Sequence, residues 1–268
     1  MNVHPRPIGV LDSGLGGLSV LRELRALLPD ERWLYYADRA FCPYGERSPA
    51  EIADRVVAIA AVLIGRGAKL LVVACNTAST TCLPELRTRF PDVPIVGIVP
   101  AVKPAAATTR TGRIGVLATA RTATGETLAR LIREHCPNAT VRAVAAPGLV
   151  GLVEAGLMDG PVVVAALRPL LAPLVADGVD TLVLGCTHYP FLRTAIGDVV
   201  GPGVAIIDSG AAVARRTRDV LDAGSLQADG GGDRGGSLTL LTSGEPEQAG
   251  AMASRLLGRR VRAVRLDA

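Results

Sequence analysis

The sequence has few of the residues on which many enzyme classes depend. Its 268 residues include only two lysines, Lys69 and Lys103, and neither is placed like the Schiff-base lysine that pyridoxal phosphate requires. Aromatic residues make up 3% of the chain, and the arginines are scattered apart from a cluster at residues 259–265. A nucleic-acid partner is therefore not expected. The cysteines form no C-x-x-C pair, which argues against a metal site. We expect neither metal nor cofactor.

Long apolar runs are also missing. Apolar runs such as Leu70–Ala74 and Val56–Ile64 are much shorter than the roughly 20 residues that a membrane-spanning helix needs. Residues 1–5 show no basic stretch that leads into an apolar one, so no signal peptide is expected. These absences predict a cytoplasmic protein without membrane contact. In that compartment the cysteines are expected to be free thiols, and they are Cys42, Cys75, Cys82, Cys136 and Cys186.

Short β-branched runs alternate with amphipathic stretches along the chain. This alternation predicts an α/β fold built from parallel βαβ units. The strands read as continuous apolar runs, so both faces of each sheet should be covered by helices. The predicted strands are Ile8–Leu11, Trp33–Ala37, Leu70–Ala74, Ile95–Ile98, Ile114–Leu117, Val141–Ala145, Thr181–Leu184, Val204–Ile207 and Leu238–Leu241.

The clearest predicted helix is Pro49–Arg66. Ser48 and Glu51 form a capping-box pattern at its start, with proline at the first helical position. A second helix should follow Asp208 and end near Leu221. Residues 223–236 are rich in glycine and are predicted to form a surface loop.

Two predicted strands end in the same way. Leu70–Ala74 leads into Cys75-Asn76-Thr77, and a second strand leads through Gly185 into Cys186-Thr187-His188. The two cysteines lie 111 residues apart in the chain, about the size of one domain. This pattern predicts an internal duplication in which each half contributes one cysteine.

Cys75 and Cys186 are candidates for function because ligands bind at the carboxyl ends of strands in open α/β sheets. Each also precedes a predicted helix, whose N-terminus favours a thiolate. The alternative, that a cysteine is simply a small buried hydrophobe, is our interpretation of Cys82 and Cys136. His188 is close enough in sequence to exchange a proton with Cys186, although single histidines are more often structural.

Asp12 ends the first predicted strand and precedes the turn Ser13-Gly14-Leu15-Gly16-Gly17. The backbone N–H groups of such a turn can cradle an anion, but the turn lacks the G-x-G-x-x-G spacing of a dinucleotide site. Asp12 is equally consistent with a cap for the next helix.

With these motifs the sequence resembles the glutamate racemases of the aspartate/glutamate racemase family. The likeness covers almost the whole chain, and the two cysteine phrases at their spacing are its most specific part. The phrases that carry it are residues 11–20, Pro43-Tyr44-Gly45, residues 74–79, 152–156 and 185–190, and Thr242-Ser243-Gly244-Glu245-Pro246-Glu247.

The resemblance implies two similar domains with mainly parallel sheets, and an active site in the cleft between them. Residues 1–97 with 208–268 would form the Cys75 domain, and residues 98–207 the Cys186 domain. The implied activity is cofactor-independent interconversion of L- and D-glutamate, in a homodimer that supplies D-glutamate for peptidoglycan.

The resemblance also implies roles for particular residues. Cys75 would deprotonate D-glutamate and Cys186 would deprotonate L-glutamate. Asp12 would assist Cys75, and Glu154 with His188 would assist Cys186. The implied substrate-binding residues are Asp12, Ser13, Pro43, Tyr44, Gly45, Asn76, Thr77, Thr119, Thr122, Thr187 and His188.

Other activities fit part of this pattern. A racemase specific for aspartate or another amino acid could use the same two cysteines. A redox-sensing module would instead form a regulated disulfide between Cys75 and Cys186. A degenerate racemase that only binds a partner is disfavoured, because both cysteines and Asp12 are intact.

Overall fold

The computed structural model describes residues 6–228 and 236–268. It divides into two compact units, the first of Met1–Ile98 with Gly210–Ala268 and the second of Val99–Ser209. The sequence analysis placed these divisions after residues 97 and 207. Residues 1–5, which bear on the signal peptide, and residues 229–235 of the predicted surface loop lie outside the described part of the chain.

Strands and helices alternate along both units. In chain order the strands are β1 (Ile8–Asp12), β2 (Trp33–Ala37), β3 (Leu70–Val73), β4 (Ile95–Gly97), β5 (Arg113–Ala118), β6 (Thr140–Ala145), β7 (Thr181–Gly185), β8 (Ala205–Ile207), β9 (Leu238–Thr242) and β10 (Ala263–Arg265). The helices are α1 (Leu18–Leu27), α2 (Pro49–Gly65), α3 (Asn76–Arg89), α4 (Val102–Thr108), α5 (Ala120–Ala123), α6 (Glu126–His135), α7 (Leu149–Glu154), α8 (Pro161–Ala176), α9 (Arg193–Val200), α10 (Gly210–Ala223) and α11 (Pro246–Leu257). Short 3₁₀ turns occupy Arg39–Phe41, Tyr44–Glu46 and Tyr189–Leu192.

The first unit contains a six-stranded sheet in the order β10-β9-β2-β1-β3-β4. Each neighbouring pair in this sheet is parallel. Every residue of β1, β2 and β3 is buried, as expected for strands that are covered on both faces.

Helix α2 begins as its sequence predicts. Ser48 accepts a hydrogen bond from the backbone N–H of Glu51, whose carboxylate accepts one from the N–H of Ser48. This capping box satisfies two backbone donors that a helix start leaves open. The apolar face of α2, including Ile52, Val56 and Ile59, packs with α3 against one face of the sheet.

The second unit contains a four-stranded parallel sheet in the order β6-β5-β7-β8. Helices α4 and α6 contribute Val102, Ala105 and Leu128 to a core with β5 and β7. On β5, a Cβ at Gly115 would lie 2.9 Å from Leu174 of α8, so glycine allows close packing there.

The two sheets repeat one strand order. Strands β2-β1-β3-β4 and β6-β5-β7-β8 both run second, first, third, fourth, and each of the candidate cysteines, Cys75 and Cys186, follows the third strand of its sheet. The predicted α/β class, with parallel sheets flanked by helices, is confirmed. Among the described residues, no helix has both the length and the apolar character that crossing a membrane requires.

Candidate active site

Polar residues follow four adjacent strands at the carboxyl edge of the first sheet. The register aligns Asp12 of β1 with Ala37 of β2, and Ala37 with Thr242 of β9. The chain leaves these strands, and β3 beside them, through buried polar or thiol side chains. These are Ser13 after β1, Asp38 after β2, Cys75 after β3 and Ser243 after β9.

Cys75 lies at the N-terminus of α3 and is 5% exposed. Its sulfur accepts a hydrogen bond from the N–H of Ala78 at 3.5 Å, and its thiol donates to the Ser13 hydroxyl oxygen at 3.7 Å. The helix N-terminus stabilises negative charge on the sulfur. The position therefore suits a thiol that alternates between charged and neutral forms.

Asp12 organises the glycine-rich turn. It is fully buried, and its Oδ2 accepts hydrogen bonds from the N–H groups of Gly14 at 3.2 Å and Gly17 at 2.9 Å. A Cβ at Gly17 would lie 2.7 Å from the Tyr35 hydroxyl and 2.9 Å from the Asp12 Cβ. The glycine therefore lets the turn close on the carboxylate. The N-cap of α1 is Gly17, without a side-chain capping hydrogen bond, so Asp12 orders the turn before the helix and does not cap it.

Asn76 and Thr77 form the first turn of α3 and are both buried. Within residues 6–228 and 236–268, the Asn76 side-chain oxygen has no hydrogen-bond partner. An unpaired buried acceptor is costly unless a ligand or water satisfies it. Asn76 is therefore well suited to receive a donor from a substrate.

Tyr44 is also buried, between the half-buried Pro43 and Gly45. Its hydroxyl donates to Asp38 Oδ2 at 2.6 Å. Burial, and after it the charge and hydrogen bond of Asp38, raises the pKa of Tyr44. The phenol therefore keeps its proton and acts as a donor.

Asp38 was not among the candidate functional residues predicted from the sequence. Asp38 directly follows the predicted strand Trp33–Ala37, the same signal that singled out Asp12. Ser243 appeared only within the family phrase Thr242–Glu247, with no role of its own. The structure brings both together, with a 2.8 Å hydrogen bond from the Ser243 hydroxyl to Asp38 Oδ1.

In the second unit, Cys186, His188 and Glu154 form a line of contacts. The Cys186 sulfur lies 3.8 Å from His188 Nδ1, and His188 Nε2 lies 2.8 Å from Glu154 Oε1. The spacing of residues along the chain does not indicate that Glu154, at the end of α7, contacts His188; only the family resemblance paired the two residues. The histidine is thus linked to a thiol on one side and a carboxylate on the other.

The contacts with Cys186 and Glu154 shift the pKa of His188. Burial lowers the pKa of the imidazole, but the hydrogen bonds and negative charges of Cys186 and Glu154 outweigh it and raise the pKa well above its ordinary value. The raised pKa favours the imidazolium form of His188, which can stabilise a Cys186 thiolate or supply a proton to it.

Thr119 and Thr122 also come together in the second unit. Thr119 caps the short helix α5, and its hydroxyl donates to the Thr122 hydroxyl at 3.1 Å. Thr119 follows β5, the first strand of this sheet, as Ser13 follows β1. Thr187 is buried between Cys186 and His188.

The remaining buried cysteines fit a structural role. Cys82 is 2% exposed, and burial, followed by the charge of Glu85, raises its pKa to about 12. Its thiol donates to the Ala78 carbonyl at 3.1 Å. Cys136 lies in the core of the second unit, where burial raises its pKa.

Comparison with known proteins identifies the family. Residues 8–217 match the family described as Asp/Glu/Hydantoin racemase. The chain belongs to this racemase family. It is 48% identical over 251 residues to the glutamate racemase of Roseiflexus sp. (strain RS-1), covering 94% of this chain and 92% of the relative. The resemblance seen in the sequence is confirmed, and the chain is a racemase.

Solved structures of racemases have the same fold. Glutamate racemase isoform RacE1 from Bacillus anthracis is 33% identical with a TM-score of 0.87, over 98% of this chain and 97% of that one. Glutamate racemase from Escherichia coli, crystallised with L-glutamate and the activator UDP-MurNAc-ala, is 38% identical with a TM-score of 0.84, over 97% of this chain and 98% of that one. The fold of this racemase is therefore shared along nearly its full length.

Proposed function

We propose that this racemase interconverts L- and D-glutamate without a cofactor, with Cys75 and Cys186 as its two bases. One observation carries the proposal: each cysteine follows the third strand of a sheet with the same strand order. Glutamate is the substrate named for the relatives described above, which are 33–48% identical to this chain.

The chemistry explains why two thiols are needed. A single base tends to return the α-proton to the face from which it was taken, which leaves the configuration unchanged. Two bases on opposite faces invert the centre when one is a thiolate that abstracts and the other a thiol that donates. The roles exchange for the opposite enantiomer, with Cys75 acting on D-glutamate and Cys186 on L-glutamate.

The surroundings of the two sulfurs support this division. The Cys75 sulfur accepts a hydrogen bond from the N–H of Ala78 at the start of α3, which favours a thiolate, and its thiol form donates to the Ser13 hydroxyl. Cys186 has His188 beside it, backed by Glu154, so a proton can move between sulfur and imidazole. We assign Asp12 as the group that orders the turn bearing Ser13.

Substrate contacts follow from the same geometry. We propose that the unpaired Asn76 oxygen accepts a hydrogen bond from the substrate ammonium group. Hydroxyl and backbone donors would hold the carboxylates and stabilise charge that develops during proton abstraction. The further residues proposed to bind substrate are Asp12, Ser13, Pro43, Tyr44, Gly45, Thr77, Thr119, Thr122, Thr187 and His188.

The direct test is incubation of cofactor-stripped, reduced protein with L-glutamate in D₂O. D-Glutamate carrying α-deuterium is the expected product, because the donating thiol exchanges with solvent. Absence of both inversion and deuterium uptake would refute the proposal. L-Aspartate in parallel tests the alternative substrate, and preferential turnover of aspartate would reassign the enzyme.

Cysteine variants test the two-base mechanism. Cys75→Ala and Cys186→Ala should each abolish racemisation, whereas Cys82→Ala, which removes an equally buried thiol, should retain it. Full activity in either of the first two variants would rule out the mechanism. A reversible Cys75–Cys186 disulfide without turnover would instead favour the redox-sensing alternative.

The cellular role is a further part of the proposal. A cytoplasmic homodimer supplying D-glutamate for peptidoglycan should restore growth of a bacterial strain that requires added D-glutamate. The Cys75→Ala variant is the matched negative control. Equal rescue by that variant would contradict the role, and sedimentation of the purified protein as a monomer would contradict the dimer.

A further inference from the structure

Asp38, at the carboxyl edge of the first sheet, accepts four hydrogen bonds from three side chains. It is fully buried, with Oδ1 accepting from Ser243 at 2.8 Å and from Arg55 Nη2 at 2.7 Å. Its Oδ2 accepts from the Tyr44 hydroxyl at 2.6 Å and from Arg55 Nε at 3.2 Å. A carboxylate with both oxygens held in this way has one orientation, and so do its partners.

The segment that Asp38 begins has little structure of its own. Residues 38–47 contain only two 3₁₀ turns, which are weak elements on their own. Arg55 reaches the segment from α2 and stacks on the ring of Phe41, with 4.0 Å between the guanidinium carbon and the ring centre. Ser243 binds the other side, accepting from the N–H of Ala40 at 3.1 Å. The conformation of the segment therefore depends on Asp38 and its partners.

Tyr44 connects this cluster to Cys75. The two residues pack in the same buried core cluster, and the 3₁₀ turn that starts at Tyr44 contacts α3, which Cys75 caps. The Asp38 N–H also donates to the Asp12 carbonyl at 3.0 Å. A shift of Asp38 would consequently displace groups around Cys75 through the phenol of Tyr44. It would also displace the Asp12 turn through the backbone hydrogen bond.

We propose that Asp38 is a positioning residue for proton transfer at Cys75, acting through Tyr44 and held in place by Arg55 and Ser243. This inference rests on the proposed racemase function and adds residues that the mechanism above does not use. It also gives the phrase Thr242–Glu247 a role, because Ser243 locks the carboxylate from a distant part of the chain.

Proton transfer at one cysteine can be followed separately from transfer at the other. The two enantiomers have equal free energy, so any variant must lower kcat/KM equally in both directions. The α-deuterium isotope effects have no such constraint. If transfer at Cys75 becomes limiting, the effect should rise with deuterated D-glutamate and fall with deuterated L-glutamate. Simple loss of folded enzyme would change neither.

The experiment compares Asp38→Asn, Tyr44→Phe, Ser243→Ala and the double variant Asp38→Asn/Tyr44→Phe. Displacing a reacting group by about 1 Å can reduce the rate about 100-fold, so we expect kcat/KM to fall about 10- to 100-fold in the first two. Ser243→Ala, which spares the Tyr44 bond, should show a smaller loss with the same change in isotope effects. The double variant should lose less than the product of the single losses, because both changes break one contact.

Two variants serve as matched controls. Asp180→Asn neutralises a buried carboxylate of the second unit that also accepts several hydrogen bonds. Ser254→Ala removes a hydroxyl of the first unit that, like Ser243, both donates and accepts: it donates to the carbonyls of Gly250 at 2.6 Å and Val261 at 3.2 Å and accepts from the N–H of Val261 at 2.8 Å. Both controls should keep wild-type isotope effects.

The outcomes separate this inference from the function on which it rests. A wild-type protein that does not racemise glutamate overturns both. With active wild type, isotope effects in Asp38→Asn and Ser243→Ala that match those of the controls overturn the positioning role alone. Multiplicative losses in the double variant would also overturn it, because Asp38 would then act independently of Tyr44. Ser243→Ala keeps the test informative if Asp38→Asn does not fold.

Discussion

The contact between Glu154 and His188 allows a sharp test of the Cys186 side. Glu154→Gln keeps the length of the side chain and a hydrogen-bonding oxygen but removes the negative charge. The side chains of His188 and Glu154 are 1% and 13% exposed, so solvent screens the pair weakly. The carboxylate helps to raise the pKa of His188, and the variant histidine should therefore lose its proton at lower pH.

The size of the effect follows from the 2.8 Å contact. A buried hydrogen bond to a charged group contributes about 1.5–3 kcal/mol. At about 1.4 kcal/mol per tenfold change, kcat/KM should fall about 10- to 150-fold near neutral pH. The loss should be equal in both directions, and the isotope effect should rise with deuterated L-glutamate, because transfer at Cys186 becomes limiting.

The measurement is kcat/KM as a function of pH for both enantiomers. In Glu154→Gln the high-pH limb of the kcat/KM profile should move to lower pH, because His188 loses its imidazolium form at a lower pH. Glu134→Gln makes the same substitution in the same unit at a side chain 45% exposed, and should behave as wild type. An unchanged high-pH limb with kcat/KM within about twofold of wild type would refute the reasoning.

The same pair makes stability depend on pH. Because the pKa of His188 is raised in the folded protein, its stabilisation is fully present below the unfolded value of about 6.5 and is lost as pH rises through the folded value. The stability difference between wild type and Glu154→Gln should therefore be larger near pH 6 than well into the alkaline range. Urea unfolding at several pH values measures the stability difference between the two proteins. A difference that grows with pH would contradict a raised pKa of His188 in the folded protein.

Three further substitutions test the fold. Asp180→Asn should lower the free energy of unfolding at neutral pH by about 1–3 kcal/mol, measured with urea. Burial raises the pKa of Asp180, but its hydrogen bonds lower the pKa overall. The loss of stability should therefore shrink as pH falls below about 4, and a loss that does not change with pH would contradict this. Gly17→Ala should lower Tm, because its Cβ would lie 2.7 Å from the Tyr35 hydroxyl, whereas Gly65→Ala, with open space around it, should not; equal Tm values would count against the clash. Ser48→Ala should cost about 1 kcal/mol through loss of the cap, and an unchanged free energy of unfolding would contradict this.

The sheets could be predicted from the sequence because their strands are local signals. An apolar run such as Leu70–Val73, buried on both faces, differs clearly from the amphipathic helices beside it. The helix start at Ser48 was equally local, since a capping box needs only four residues. Strand boundaries moved by at most one residue. At Arg113, for example, backbone pairing with Thr140 begins one residue before the first apolar side chain.

Without the family resemblance, the sequence indicates candidate site residues only where they adjoin a strand end. Cys75 and Cys186 met that condition, and so did Asp12. Asp38 met it too but stands in no phrase that the sequence analysis singled out, and its partner Ser243 lies 205 residues away. That pairing depends on β9 lying beside β2, which the order of strands along the chain does not reveal.

Repetition of one strand order explains why the chain has two comparable cysteines, and the contacts described for the two sulfurs differ. The N–H of Ala78 at the start of α3 can stabilise a Cys75 thiolate. His188 can both stabilise a Cys186 thiolate and return its proton. In the proposed mechanism each enantiomer binds a different protonation form of the enzyme. It follows that kcat and KM are free to differ between L- and D-glutamate, although their ratio must be equal.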